Sequence, residues 1–360
     1  MADEIPRPSQ LSEREAPLLV SLSSIEAAAE ALPQYTRHSP VVRWDERTWL
    51  KLESVQPTGS FKIRGAFTKL NRLGAQSRAR GVVAYSSGNH GIAVARAARM
   101  CGTSATIVVP RDAPGPKTDA IALEGATIVP CPPGSEVRRL LGEAIARDTG
   151  QILVPPYNDE DVIAGQGTIG LELIEQLPRL STVVVPVGGG GLISGIAAAV
   201  KALRPSVRVV GVEPELAGDA REALATGRPV QWPADEVSQT IADGVRTQSL
   251  GPLNFAHVVR LVDEIVTVSD AAILDAAVAL LRRRHLIAEP AGALALAAVR
   301  NGSVNTPDTA VIVSGGNAGA EILAQMIQRN GQLETSARDQ AVHDHEHGIP
   351  RHQPATPLWH

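Results

Sequence analysis

Four groups of residues in this chain have the types and spacing to do chemistry together. The first is Ser60-Phe61-Lys62-Ile63-Arg64-Gly65-Ala66, which follows the turn-forming run Gln56-Pro57-Thr58-Gly59. Lys62 stands just inside the start of a helix, a rigid element from which it can project into a cleft. A buried amine loses affinity for its proton and becomes a better nucleophile and base, as Schiff-base chemistry requires. Taken singly, a lysine at a helix start is most often a solvated surface residue. The second group is Ser86-Ser87-Gly88-Asn89-His90-Gly91, between a strand and a helix. N–H groups at a helix N-terminus bind anions, and the serine hydroxyls and the Asn89 amide add donors. The loop therefore suits a carboxylate, with Asn89 in reach of a ring oxygen, although the same residues also make ordinary capping turns.

The third group is Pro186-Val187-Gly188-Gly189-Gly190-Gly191-Leu192. Four successive glycines let the backbone approach a phosphate closely, and their N–H groups form a nest at a helix start. The spacing is neither that of a dinucleotide fingerprint nor that of a P-loop. The fourth is Val313-Ser314-Gly315-Gly316-Asn317, after the last strand. The Ser314 hydroxyl can bond a ring nitrogen without enforcing its protonation as a carboxylate would, which suits elimination more than transamination.

The elements that must position these groups alternate. Strands are expected at Trp49 to Glu53, Gly81 to Tyr85, Ala105 to Val109, Thr127 to Pro130, Thr182 to Val187, Val207 to Val212 and Ala310 to Val313. Helices are expected at Ser24 to Leu32, Phe61 to Leu73, His90 to Met100, Pro116 to Leu123, Ser135 to Asp148, Ala164 to Gln176, Leu192 to Leu203, Leu274 to His285 and Ala291 to Val299. Such alternation implies right-handed βαβ units around parallel sheets. Ligands in open α/β sheets sit beyond the carboxyl ends of strands, and each glycine cluster falls at such an end.

Composition bounds the function. The chain has 360 residues, enough for two lobes with full cores. Aromatics are only 3%, which suits buried parallel strands covered by Ala-rich helices. The net charge of -4 and the lack of a long basic run argue against a nucleic-acid partner. No apolar run is long enough to cross a bilayer, and Met1 to Pro17 has no apolar core of the signal-peptide kind. The two cysteines, Cys101 and Cys131, are too few for a disulfide framework, so a reducing cytoplasm is expected.

In this order the four motifs resemble the type II fold of pyridoxal-phosphate enzymes, and most nearly the serine racemase and serine/threonine dehydratase family. The resemblance runs from Ser21 to about Gln328. It is supported by Ile163-Ala164-Gly165-Gln166-Gly167-Thr168-Ile169, Thr240-Ile241-Ala242-Asp243-Gly244-Val245 and Glu289-Pro290-Ala291-Gly292-Ala293. It implies an α/β, two-lobed fold, with parallel-rich sheets covered by helices and the active site between the lobes. A large cofactor-binding domain would take residues 18–80 and 157–333, and a small domain residues 81–156. An N-terminal arm, 1–17, is expected to be flexible, and a His- and Pro-rich tail, 334–360, to be disordered.

The resemblance also implies roles for single residues. Lys62 carries pyridoxal 5'-phosphate, Phe61 packs beside its ring and Asn89 contacts its hydroxyl oxygen. Gly188, Gly189, Gly190 and Gly191 hold the phosphate, and Ser314 meets the pyridine nitrogen. Ser86, Ser87, Asn89, His90 and Arg138 surround the amino acid substrate, with Ser87 on the face opposite Lys62. Glu213 and Asp219, with the carbonyl of Ala217, match a divalent-cation site, and such hard oxygen ligands suit Mg²⁺, Ca²⁺ or Mn²⁺. The implied reaction removes water and then ammonia from a threonine- or serine-like β-hydroxy amino acid, leaving a 2-keto acid. The alternatives are serine racemisation, or dehydration of hydroxyaspartate or a bulkier β-hydroxy amino acid. Ile92 replaces the glutamine that serves a nucleotide site in the animal racemases, which disfavours ATP activation. Symmetric pairs are the commonest oligomers and family members pair, so a homodimer is expected.

Overall fold

A computed structural model describes residues 18–32, 35–111, 113 and 115–332. The expected arm, 1–17, and the tail from 334, with His343, His345 and His347, lie outside the described residues. The chain opens with α1 (Leu22–Ala31), capped by the Ser21 hydroxyl, which accepts from the Ser24 N–H. An antiparallel pair follows, β1 (Val41–Arg43) and β2 (Thr48–Leu52). Then come α2 (Lys62–Asn71) and α3 (Ala75–Arg80).

Next come β3 (Val82–Tyr85), α4 (Asn89–Met100), β4 (Ala105–Pro110), α5 (Gly115–Leu123), β5 (Thr127–Cys131), α6 (Ser135–Thr149) and β6 (Ile152–Leu153). Their strands form one all-parallel sheet in the order β5-β4-β3-β6. The chain then runs through α7 (Glu160–Gln176), β7 (Thr182–Pro186), α8 (Gly191–Leu203), β8 (Arg208–Pro214), α9 (Asp219–Thr226), α10 (Ala234–Val237), α11 (Pro252–Leu261), β9 (Glu264–Val268), α12 (Asp270–Arg284), α13 (Pro290–Arg300) and β10 (Thr309–Val313). A second sheet runs β1-β2-β10-β7-β8-β9, parallel except at β1. The α/β fold class is therefore as expected. Among the described residues, no helix is long and apolar enough to cross a membrane.

Burial explains the strand sequences. Every residue of β7 and β10 is buried, and both are mostly β-branched with no alternation of polar and apolar residues, because helices cover both faces of a parallel sheet. Small residues explain how tightly the helices sit. A side chain at Gly165 of α7 would stand 2.7 Å from the Gly65 Cα of α2, and one at Gly195 of α8 would stand 2.4 Å from the Ile163 carbonyl. The Gly165-Gln166-Gly167 motif is thus a packing device. It lets α7 press α2, and so Lys62, into a fixed place.

Candidate active site

Lys62 is the first residue of α2, directly after Phe61. The turn before it is stitched to the end of β10. The Phe61 N–H donates to the Ser314 carbonyl at 3.1 Å, and the Gly316 N–H donates to the Gly59 carbonyl at 2.9 Å. Gly59 has φ +73, and a Cβ there would strike the Asn317 carboxamide at 2.2 Å, so both conformation and space demand glycine. From this anchored turn the Lys62 amine donates to the Pro156 carbonyl at 2.8 Å and stands 5.1 Å from the Phe61 ring centroid. Burial lowers its pKa to about 8, against the opposing pull of Glu289.

The Ser86–Gly91 loop opens α4. Gly91 is required by close approach, since a Cβ there would lie 2.4 Å from the Ser86 carbonyl. The N–H groups of the first helical turn have no partners within the helix, which leaves them for an anion. The His90 ring is engaged elsewhere: its Nε2 bonds the Val154 carbonyl at 2.8 Å. Burial, then the charge of Lys62, holds its pKa near 3, so the ring is neutral at physiological pH. The Asn89 Nδ2 donates to Glu289 Oε1 at 2.5 Å, and Asn89 Oδ1 accepts from Asn317 Nδ2 at 2.7 Å. Glu289 is buried, and burial followed by the charge of Asp243 raises its pKa to about 7.

The four glycines between β7 and α8 are walled by side chains. A Cβ at Gly188 would lie 3.1 Å from the Val245 Cα, and one at Gly189 2.3 Å from the Tyr157 ring. Gly190 has φ +91 and faces Asn254 and Leu250, while Gly191 faces Tyr157. Ser314, directly after β10, is buried, with its hydroxyl donating to the Ala291 carbonyl at 3.2 Å. Arg138, on α6, exerts its positive charge on Tyr85 and Tyr157, and it favours their ionised forms against the stronger effect of burial.

A separate acidic pair lies after β8. Glu213 is fully buried, and its carboxylate accepts from the Ala220 N–H at 3.0 Å and the Arg221 N–H at 2.8 Å. Asp219 is 1% exposed, and both its carboxylate oxygens are buried without a hydrogen-bond partner. Burial pushes the Asp219 carboxyl up to about 7, and burial with the Asp219 charge raises Glu213 as well. Ala217, between them, is also buried. A plain solvated acidic turn is ruled out by this burial.

A family model described as "Pyridoxal-phosphate dependent enzyme" matches residues 33–316. The chain belongs to this pyridoxal-phosphate enzyme family. It is 43% identical over 288 residues to an L-threonine ammonia-lyase of Thermotoga maritima, covering 78% of this chain and 70% of that one. It is 39% identical over 306 residues to an L-threo-3-hydroxyaspartate ammonia-lyase of a Pseudomonas species, covering 84% and 95%. The solved structure of maize serine racemase superposes with a TM-score of 0.81 at 35% identity, over 88% of this chain and all of that one.

The residues present fit pyridoxal phosphate. A Cβ at Gly189, Gly190 or Gly191 would stand under 3 Å from a neighbouring side chain, so the run has to be glycine, which leaves its N–H groups free of side-chain cover to hold a phosphate. Lys62 is the amine whose proton affinity burial has weakened. Ser314 directly follows β10, the strand paired with β7, so it shares a sheet edge with the glycine run that follows β7. The motif reading in the sequence did not single out Pro156, Tyr157, Glu289 or Asn317 as site residues. Glu289 and Asn317 were visible only as members of motifs. Pro156 and Tyr157 belong to the segment that leaves β6 and returns to α7, where nothing in their spacing signals a role.

Proposed function

We propose that the protein is a pyridoxal-phosphate-dependent ammonia-lyase that turns a small β-hydroxy amino acid, of the threonine or serine type, into a 2-keto acid and ammonia. The observation that carries this reading is the buried Lys62 amine, with a pKa of about 8, bonded to the Pro156 carbonyl directly before Tyr157, the residue that packs on Gly189 and Gly191. Two relatives named as ammonia-lyases of β-hydroxy amino acids support it. Pyridoxal phosphate, when bound, supplies an electron sink for negative charge at the substrate Cα. Lys62 takes the Cα proton as general base. The first-turn N–H groups of α4, including that of His90, hold the substrate carboxylate with Ser86 and Ser87. Arg138 lends positive charge on the substrate side. Phe61 packs beside the cofactor ring, Asn89 serves its ring oxygen, and the Ser314 hydroxyl serves its ring nitrogen.

The assay is keto-acid and ammonia release from L-threonine, L-serine and threo-3-hydroxyaspartate. Equimolar release from at least one of them is expected, and no release from any would refute the proposal. Racemisation is the second reading, because Ser87 offers a hydroxyl that the resemblance puts on the face opposite Lys62. Chiral analysis of recovered serine separates the two.

The amine must be neutral to attack the cofactor aldehyde. The folded pKa of about 8 therefore sets the loading profile. The rate at which unloaded protein takes up pyridoxal phosphate should fall about tenfold per pH unit below pH 8 and level off above it. A profile still rising between pH 9 and 10 would show an ordinary solvated lysine.

We further propose that Glu213, Asp219 and the Ala217 carbonyl hold Mg²⁺, Ca²⁺ or Mn²⁺ as a structural ion. The two unpartnered oxygens of Asp219 support this, since a buried charge without a partner is costly. Chelation should lower the Tm, and added divalent cation should restore it. Asp219→Asn should abolish both responses. A chelator-sensitive Tm in that variant would remove Asp219 from the site. A homodimer acting on free amino acid in a reducing cytoplasm completes the proposal, since two cysteines are too few for a disulfide framework.

A further inference from the structure

The Asn89 carboxamide is held at both ends. Asn89 begins α4, beside the four-stranded sheet, whereas its partners Glu289 and Asn317 lie at the starts and ends of elements around the six-stranded sheet. A chain of donors and acceptors fixes which way the amide faces. The Thr58 carbonyl can only accept, so the group of Asn317 at 2.9 Å from it must be Nδ2. That same Nδ2 meets Asn89 at 2.7 Å, so the atom of Asn89 there must be the acceptor, Oδ1. The Asn89 Nδ2 then faces Glu289 Oε1 at 2.5 Å. Flipping the Asn89 amide would set its Nδ2 against the Asn317 Nδ2, donor to donor. Glu289 is itself anchored: its N–H donates to the Gly315 carbonyl at 3.1 Å, and its Oε1 lies so close to Gly315 that a Cβ there would stand 2.0 Å away. An amide nitrogen carries two N–H groups, and only one is spent on Glu289.

We propose that Glu289 and Asn317 are positioning residues that lock the Asn89 carboxamide so that its second N–H, not its carbonyl, meets the ring oxygen of the cofactor. The proposal rests on the reading that Asn89 serves that oxygen, and adds what fixes its orientation. The same two bonds join the two sheet systems across the cleft, so the ring oxygen receives its donor only when both sides are in place. Outer partners that orient a ligating side chain at metal sites are worth roughly 10- to 100-fold in activity, and an effect of that size is expected here.

The test is the visible absorbance of the cofactor-loaded protein without substrate, whose bands report the hydrogen bonding of the ring oxygen. Asn89→Ala should shift the balance of bands. Asn317→Leu and Glu289→Leu should shift it the same way and lower kcat at least about tenfold with little change in KM. Glu289→Gln, whose carbonyl still accepts, should keep the wild-type spectrum. Adding Asn89→Ala to Asn317→Leu should cause no further shift. Should the leucine variants fail to fold, Asn317→Ala and Glu289→Ala replace them. Wild-type bands in the Asn317 and Glu289 variants, with shifted bands in Asn89→Ala, would overturn the lock alone. Wild-type bands in Asn89→Ala would overturn the ring-oxygen reading and the lock with it.

Discussion

Lys62→Ala should lose turnover by on the order of 10³-fold or more, as when a covalent nucleophile is removed, and should lose the visible absorbance that a lysine-bound cofactor gives. Both are read on the same sample, by keto-acid release and by spectrum. Retained turnover in the variant would end the functional reading. The same substitution should act on stability in the opposite direction. The folded pKa of Lys62, about 8, lies below the ordinary lysine value of 10.5, so the folded protein binds that proton more weakly than the unfolded chain does. This penalty is absent above pH 10.5, grows as pH falls toward 8 and is constant below 8. At pH 7, unloaded Lys62→Ala should therefore have a Tm equal to or above that of unloaded wild type. The residue proposed to do the chemistry is one the fold holds at a cost.

The second large effect lies two residues further along α2. The guanidinium of Arg64, 1% exposed, forks onto Glu53 with two bonds of 2.8 Å and reaches Glu172 at 2.6 Å. Lys51, fully buried, meets the other oxygen of Glu172 at 2.5 Å, so two cations face two carboxylates. Burial alone would lower the pKa of Arg64, yet the two carboxylates outweigh it and raise it. Burial likewise pushes Glu172 up, and Arg64 with Lys51 brings it down below the usual range. Arg64→Met leaves two buried carboxylates facing one lysine. It should cost about 3–5 kcal/mol of unfolding free energy, because breaking a buried pair strands an uncompensated charge. Removing the partner as well, in Glu53→Gln with Arg64→Met, should recover part of that loss. Denaturant unfolding measures both. A single variant within about 1 kcal/mol of wild type would mean that water reaches the cluster.

The sequence disclosed the elements whose burial imposes a long pattern. Strands β3, β4, β7 and β10 and helices α4, α6, α8 and α13 fall within a residue or two of their expected bounds. The misses have three physical causes. Strand β6 is two residues long, and β1 is three, too short for any periodicity. Strand β9 is only partly buried, so its apolar residues do not stand out from a loop. Helix α7 begins at Glu160, four residues before the expected Ala164, because the Asp159 side chain caps it by accepting from the Asp161 and Val162 N–H groups. Helix α12 likewise begins at Asp270 under a Ser269 cap. At the site, the residues with signature chemistry were legible. Glu289, Asn317 and Glu172 were not, since each acquires its role from a partner at least 100 positions away, Asn89 for the first two and Arg64 for the third.

The placement of β10 between β2 and β7 has a consequence for how the molecule is made. Synthesis proceeds from the N-terminus, so β2 and β7 emerge long before the strand that separates them. Until residue 313 leaves the ribosome, the middle of that sheet is a gap with two unpaired edges, and such edges are where nascent chains aggregate. The sheet around β3 faces no such wait, because all its strands lie between residues 82 and 153. A chain cut short before Thr309 should therefore leave β2 and β7 with the edges that β10 would join unpaired. It would keep Lys62 and the glycine run but lose the Ser314 backbone that anchors the turn before Lys62.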